Sequence, residues 1–165
     1  LDEFDPLGGG QHRVGGLEKA DITGEVSHNA INHQKMTEYR EEKVQRVVDM
    51  VPDLEVIGDE KAGLLVIGWG GTFGAILSAV EDLREKDYSI AMTHFNYIKP
   101  LPKNTADVLK NFKKIIVCEN NLGQFANYLR SQHPQFNYIR FNKIQGLPFM
   151  VFELKEKFIE ILEEK

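Results

Sequence analysis

Short apolar runs alternate with segments of helical periodicity from Gly63 onwards. The apolar runs are continuous, which is typical of strands covered on both faces, and they lie at 64–67, 90–95, 115–118 and 138–141. The segments that follow them repeat apolar residues at three- and four-residue steps, which predicts helices at 72–86, 105–112, 122–133 and 148–163. This alternation predicts an α/β fold, a three-layer αβα sandwich with a mostly parallel sheet.

The residues before the first predicted strand have a different character. Residues 1–30 are rich in glycine and lack apolar periodicity, so we expect an extended or loop segment there. An amphipathic pattern then predicts a long helix from Asn32, as its N-cap, to Met50. We therefore divide the chain into a loop segment (1–30), a long helix and linker (31–62) and an α/β domain (63–165), and expect 31–165 to form one compact unit.

The composition narrows the classes of protein to which this fold can belong. The chain has 165 residues, of which 42% are hydrophobic and 27% charged, and its formal net charge is −5. It therefore lacks the basic character on which nucleic-acid binding depends, and no apolar run approaches the roughly 18 residues that span a bilayer. The single Cys118 excludes an internal disulfide or a thiolate cluster built from this chain alone. The chain begins at Leu1 without Met, and we expect it to be a fragment of a longer polypeptide.

A glycine-rich turn follows the first predicted strand and opens the next helix: Gly68-Trp69-Gly70-Gly71-Thr72-Phe73-Gly74. Glycines allow close backbone approach, and the free N–H groups at a helix start can hold an anion. Phe73 stands where the dinucleotide-binding fingerprint has its last glycine, and the next strand ends in Thr93-His94-Phe95 without an acidic residue for a ribose. Two interpretations stay open: an anion site, or a tight turn against which a neighbouring chain packs, to which we give more weight.

Histidines offer one further candidate. The five histidines have no spacing typical of a metal site, and they are His12, His28, His33, His94 and His133. His94 is singled out by its position at the end of a predicted strand near the glycine-rich turn. The alternative is a hydrogen-bonded histidine at a domain surface.

A second candidate stretch lies at another junction of strand and helix: Cys118-Glu119-Asn120-Asn121-Leu122-Gly123-Gln124. The carboxyl ends of strands are where open α/β sheets bind ligands, so Glu119 is a candidate base or contact and Gln124 a candidate hydrogen-bond donor. The alternative is structural, with Asn120 or Asn121 capping the helix and Glu119 interacting with its positive end. We expect Cys118 to be a buried thiol.

These motifs in this order resemble the C-terminal part of the alpha subunit of 2-oxoacid:ferredoxin oxidoreductases, especially the 2-oxoglutarate type. The resemblance covers nearly the whole chain. It rests on Gly15-Gly16-Leu17-Glu18, His33-Gln34-Lys35-Met36 with Arg40 and Lys43, Gly68 to Gly74, Pro100-Leu101-Pro102, Glu119 to Gln124, Arg130, and Gly146-Leu147-Pro148-Phe149. The chain departs from the family at Gly71 and Phe73, and at Lys19 and Ala20, where His-Asp or His-Asn usually follows Gly-Leu-Glu.

The resemblance implies a cytoplasmic thiamine-diphosphate enzyme that oxidatively decarboxylates a 2-oxoacid with coenzyme A and ferredoxin. Thiamine diphosphate, magnesium and an iron–sulfur cluster would belong to the complete enzyme, since the chain lacks the Gly-Asp-Gly…Asn diphosphate motif and a cysteine cluster. The resemblance also implies a domain like the last domain of transketolase, which supports the dimer and the surroundings of the active site. We therefore expect a structural and interface domain without catalytic residues or a bound cofactor of its own.

The partners implied by the resemblance are the rest of the alpha subunit and a thiamine-binding beta subunit in an oligomer, with ferredoxin and coenzyme A at the level of the complex. We expect no nucleic-acid or membrane partner. The competing hypothesis is a freestanding flavodoxin-like enzyme that binds a nucleotide or anion at the turn of residues 68–74.

Overall fold

A computed structural model describes residues 16–164 of the chain. The first half of the predicted loop segment, residues 1–15, lies outside the described residues and includes His12 and Gly15. Lys165 also lies outside them. Contacts between residues divide the chain into two units, Leu1–Asp49 and Met50–Lys165. The domain boundaries given above stay a prediction, because a division by contacts does not show which segments fold independently.

In the first unit, a loop precedes the helix α1 (Ala30–Arg46), which a 3-10 turn follows at Val47–Met50. The N-cap is Asn29, whose side chain accepts a hydrogen bond of 2.9 Å from the backbone N–H of Asn32. The predicted cap at Asn32 is wrong, because its side chain instead holds the preceding loop, donating to the Lys19 carbonyl and accepting from the Asp21 N–H. No residue of α1 is buried.

The second unit contains a five-stranded sheet. Its strands are β1 (Val56–Ile57), β2 (Leu64–Trp69), β3 (Ile90–Phe95), β4 (Lys114–Glu119) and β5 (Ile139–Asn142). They lie in the order β1-β3-β2-β4-β5. All neighbours pair in parallel except β1, which lies antiparallel to β3 at the edge. The four predicted strands and the mostly parallel sheet are confirmed. The short edge strand β1 falls in the segment interpreted as a linker, where Leu54 is also buried.

Helices cover both faces of the sheet. They are α2 (Phe73–Arg84), α3 (Thr105–Leu109), α4 (Gln124–Gln132) and α5 (Val151–Glu163). Alternate residues of β2 enter two separate cores: Leu65 and Ile67 pack with α3 and α4, and Leu64 and Val66 pack with α2 and α5. The predicted three-layer αβα sandwich is therefore confirmed.

Some helices begin later than their apolar periodicity indicates. Leu122, placed in a helix by the pattern, is 73% exposed and precedes α4, because Gly123 has a left-handed backbone with φ +89°. Pro148 likewise lies before α5. None of the helices in residues 16–164 is both long and apolar enough to cross a bilayer.

Candidate functional site at the carboxyl ends of the strands

The two candidate stretches meet at the centre of the sheet. The chain leaves β2 towards β3 on one side and leaves β4 towards β5 on the other, although β2 and β4 are neighbours. Such a reversal of strand order creates the crevice in which open α/β sheets usually bind ligands. The turn after β2 carries Gly68 to Gly74 and the turn after β4 carries Asn120 to Gln124, so the sequence correctly placed both stretches at this edge.

Trp69 and Glu119 meet across this crevice. The indole Nε1–H donates a hydrogen bond of 3.2 Å to Oε2 of Glu119, and the indole ring lies 5.9 Å from the ring of Phe125. Oε2 also accepts from the Phe125 N–H at 2.8 Å, and Oε1 accepts from the Ala126 N–H at 2.9 Å. The fully buried Glu119 carboxylate therefore supplies an anion at the start of α4 from within the chain.

The remaining residues of the second stretch shape the start of α4. Asn121 Oδ1 accepts hydrogen bonds from the backbone N–H groups of Gly123 and Gln124, at 2.7 and 3.0 Å. A Cβ atom at Gly123 would lie 3.1 Å from Asn142 Nδ2. Asn120 Nδ2 reaches the Lys143 carbonyl only at 3.5 Å, and Gln124 is exposed. The N-cap of α4 is Gly123, which has no side-chain cap hydrogen bond, so the predicted cap at Asn120 or Asn121 is wrong and Asn121 instead stabilises the turn before the helix.

The first glycine of the turn after β2 is required by packing within the chain. A Cβ atom at Gly68 would lie 2.6 Å from Ile76 Cδ1 and 2.8 Å from Thr72 Oγ1. The Thr72 hydroxyl closes the turn, because it accepts from the Trp69 N–H at 3.1 Å and donates to the Trp69 carbonyl at 2.9 Å. Gly70 has φ +59°, a conformation that other residues rarely adopt.

Two further glycines of this turn have no such explanation inside the described part of the chain. A Cβ atom at Gly71 or Gly74 would have no atom within 4 Å, and neither glycine has a positive φ. Gly74 lies in the first turn of α2, where glycine costs about 1 kcal/mol relative to alanine. The neighbouring Phe73 is 41% exposed. The exposed face of this turn is therefore suited to close approach by something outside the chain.

His94 lies at the end of β3, opposite Gly68 in the strand register. Its ring meets the Phe73 ring edge-on, with 5.1 Å between centroids. Nδ1 is buried, and no hydrogen-bond partner for it exists among the described residues. Burial lowers the pKa of His94, and a backbone hydrogen bond with Gly70 opposes this shift in part. The imidazole is therefore mainly neutral at pH 7.

A cavity of about 590 Å³ opens beside His94, between β1 and the glycine-rich turn. Its lining includes Asp53, Glu55, Gly70, Phe73, His94 and Tyr97. The sequence interpretation missed Asp53, Glu55 and Tyr97, because the edge strand that brings the acidic pair next to β3 has only two residues. The one signal of this cavity in the sequence was Tyr97, an aromatic residue just after the end of β3.

Cys118, the remaining candidate, has a structural role. Cys118 is fully buried, as predicted, and burial together with the adjacent Glu119 charge raises the pKa of its thiol. Among residues 16–164, no three histidine, cysteine or acidic side chains lie close enough together to hold a metal ion.

The Gly-Leu-Glu motif contributes a charged clamp to the first unit. Glu18 forms a bidentate ion pair with Arg40, at 3.1 and 2.9 Å, and its Oε2 lies 2.8 Å from Nδ1 of His33. Hydrogen bonds from Arg40 and His33 lower the pKa of Glu18 to about 2. Lys19, where the family usually has histidine, donates only its backbone N–H to Glu18. The motif thus holds the loop on α1.

Comparisons with known proteins connect the chain to one group of enzymes. It is 36% identical over 147 residues to the 2-oxoglutarate oxidoreductase subunit KorA of Mycobacterium tuberculosis. This match covers 87% of this chain and 22% of that subunit. It is 30% identical over 153 residues to the alpha subunit of 2-oxoacid:ferredoxin oxidoreductase 1 of Aeropyrum pernix, covering 88% of this chain and 24% of that subunit. No family model matches the chain.

A solved structure shows the same fold. The 2-oxoglutarate:ferredoxin oxidoreductase of Magnetococcus marinus, with 2-oxoglutarate, coenzyme A and succinyl-CoA bound, matches with a TM-score of 0.81 and 25% identity. The match covers 96% of this chain and 28% of that chain. The chain is therefore homologous to part of the alpha subunits of 2-oxoacid:ferredoxin oxidoreductases, of whose length it spans about a quarter.

Proposed function

We propose that the chain is the C-terminal structural and interface segment of the alpha subunit of a 2-oxoglutarate-type 2-oxoacid:ferredoxin oxidoreductase. The complete enzyme would oxidise and decarboxylate a 2-oxoacid in the cytoplasm. Coenzyme A would take the acyl group, and ferredoxin would take the electrons. The names of the relatives and the substrates and product bound in the Magnetococcus marinus enzyme support this assignment.

In this proposal the cofactors belong to other parts of the complete enzyme. Thiamine diphosphate, magnesium and the iron–sulfur cluster would be held by the thiamine-binding beta subunit and the rest of the complex, and this segment would bind none of them. It would contribute neither catalytic residues nor metal ligands. The missing three quarters of the alpha subunit and the beta subunit would be its partners in an oligomer.

The observation that carries the proposal is the set of hydrogen bonds formed by Trp69 and Glu119 at the crevice between β2 and β4. A ligand-binding α/β protein leaves this crevice open and uses the helix N-terminus beside it for an anion. Here the Trp69 indole donates a hydrogen bond to Glu119 across the crevice, and the Glu119 carboxylate already accepts from the N–H groups of Phe125 and Ala126 in the first turn of α4. The side chains at this site therefore stabilise the fold, as expected of a structural segment. A flavodoxin-like enzyme would keep the same site free for its ligand.

A second observation supports an interface at the same edge. Each of the four loops that follow a parallel strand exposes an apolar side chain. These side chains, which we call the edge patch, are Phe73 (41% exposed), Tyr97 (46%), Leu122 (73%), Ile144 (58%), Leu147 (62%) and Met150 (51%). Apolar side chains clustered on one surface are characteristic of a contact with another protein.

The proposal can be tested in a chimaera. We would replace the matching segment of the Mycobacterium tuberculosis subunit with this chain and measure assembly by gel filtration and activity with 2-oxoglutarate, coenzyme A and a ferredoxin analogue. Gly74→Trp fits open space in the isolated chain, so its fold should survive while assembly fails. Arg84→Trp, an exposed change at the opposite end of α2, is the matched control and should assemble normally. Normal assembly of Gly74→Trp would contradict an interface at this turn.

Two measurements on the isolated chain complete the test. Calorimetry with thiamine diphosphate and magnesium should show no binding, and micromolar binding would refute a segment without cofactor contacts. A thermal-shift screen with nucleotides, coenzyme A and flavins should show no saturable shift. A saturable shift that disappears on substitution of Gly70 or Gly71 would instead favour the flavodoxin-like alternative.

A further inference from the structure

The cavity beside His94, which we call the edge cavity, has a lining that selects the charge of its occupant. Its lining includes two acidic residues, Asp53 and Glu55, and no lysine or arginine is found among the described residues that line it. Lys99 and Lys103 belong to the loop that carries Tyr97, but neither lines the cavity. A cavity with two carboxylates and no basic side chain favours a cation.

His94 does not oppose this preference. Burial lowers the pKa of its imidazole, so the ring is mainly neutral at pH 7 and adds no positive charge.

Two aromatic rings narrow the preference from cations in general to a planar guanidinium group. Phe73 on the glycine-rich turn and Tyr97 after β3 both line the cavity, and both are about half exposed, at 41% and 46%. A planar guanidinium gains from stacking on such rings and pairs with carboxylates through two parallel hydrogen bonds, whereas a compact ammonium group does neither as well.

The position of the edge cavity indicates that the cation arrives on a protein. Phe73 and Tyr97 belong both to its lining and to the edge patch, so the edge cavity lies next to the proposed interface. Arginine side chains that insert into pockets within such surfaces often carry much of the binding energy. We propose that the edge cavity receives the guanidinium group of an arginine presented by a neighbouring polypeptide of the complex, an inference that rests on the proposed interface function.

A titration of the isotopically labelled chain followed by NMR tests the chemistry directly. N-acetyl-arginine amide should give saturable shifts at Phe73, His94 and Tyr97, with a dissociation constant of about 1–10 mM for one side chain. Its neutral analogue N-acetyl-citrulline amide should bind at least about tenfold more weakly. N-acetyl-lysine amide should also bind less tightly than the arginine amide, and equal binding would overturn the assignment to a guanidinium group.

Variants localise the effect. The double variant Asp53→Asn/Glu55→Gln should abolish saturation by the arginine amide, whereas Glu60→Gln, a nearby exposed carboxylate outside the cavity, should leave it unchanged. Absence of a saturable shift in the unaltered chain, equal binding of the citrulline amide, or normal binding by the double variant would overturn the inference.

The chimaera separates this inference from the proposed function. We expect Asp53→Asn/Glu55→Gln to weaken its assembly at least about tenfold, while Glu60→Gln leaves assembly intact. Normal assembly of the double variant together with failure of Gly74→Trp would refute the arginine site and leave the interface standing. Normal assembly of both variants would refute both.

Discussion

The buried carboxylate of Glu119 permits a quantitative test of how the crevice is filled. Its two oxygens accept three hydrogen bonds, from the Trp69 indole and from the backbone N–H groups of Phe125 and Ala126. Glu119→Gln preserves the shape of the side chain but replaces one oxygen with an NH₂ group. In either orientation, this new donor faces an N–H group that needs an acceptor.

The expected loss follows from counting these contacts. A buried donor left without an acceptor costs about 1–3 kcal/mol, and hydrogen bonds that lose a charged partner weaken by about 1 kcal/mol each. Removing the buried charge also relieves its desolvation, which offsets part of this loss. We therefore expect Glu119→Gln to lower the free energy of unfolding by about 2 kcal/mol. Trp69→Phe, which removes only the indole N–H and some apolar area, should cost about 1 kcal/mol.

Urea denaturation followed by circular dichroism measures these differences, because the midpoint should fall by about 1 M for Glu119→Gln. Since Trp69 is the only tryptophan, its fluorescence should report opening of the crevice in the same variant. Glu60→Gln is the exposed control and should leave the midpoint unchanged. The double variant Glu119→Gln/Trp69→Phe should lose about 1 kcal/mol less stability than the sum of the two single changes, because both changes remove the same hydrogen bond. An unchanged midpoint for Glu119→Gln, or additive losses, would refute the reasoning.

Three further predictions concern the glycine-rich turn, the clamp and the thiol. Gly68→Ala should lower stability by about 1–3 kcal/mol, because its Cβ would lie 2.6 Å from Ile76 Cδ1, while Gly71→Ala should be neutral in the same denaturation assay. The pKa of Glu18 is lowered to about 2, so its clamp contributes stability above the ordinary carboxyl pKa and loses it as the pH falls through 2. An NMR titration should give a pKa of about 2 for Glu18, and Arg40→Gln should raise this pKa. An ordinary carboxyl pKa for Glu18 in the unaltered chain would contradict the prediction. Because burial raises the pKa of Cys118, a disulfide reagent at pH 8 should label it only on unfolding, and rapid labelling of folded protein would disprove this.

The layered fold could be predicted because its signals are local. Runs such as Leu64–Ile67 are apolar without interruption, which requires burial on both faces, and the helices between them follow from periodicity alone. The ends of elements depend on finer contacts. Asn29 and Asn32 are equally good caps by composition, and the choice between them depends on which side chain the preceding loop engages.

The acidic wall of the edge cavity could not be predicted for a related reason. Asp53 and Glu55 reach the end of β3 only because β1 pairs with β3 at Val56 and Ile57. A strand of two residues has no periodicity to detect. It is held instead by contacts distant in sequence, such as the bond from the Thr93 hydroxyl to the Glu55 carbonyl and those between Asn104 and the backbone of Leu54.

The interpretation of Glu119 depended on the strand order, which no local pattern contains. At a strand end, a glutamate can serve a ligand or the adjacent helix, and periodicity is the same in both cases. The choice is made by Trp69, which lies fifty positions away along the chain and faces Glu119 only because β2 and β4 are parallel neighbours. The carboxylate is fully buried, and its oxygens accept hydrogen bonds from the indole and from two backbone N–H groups of α4. The outward surface at this edge includes the glycine-rich turn and the edge patch, where the proposed contact with another protein surface would lie.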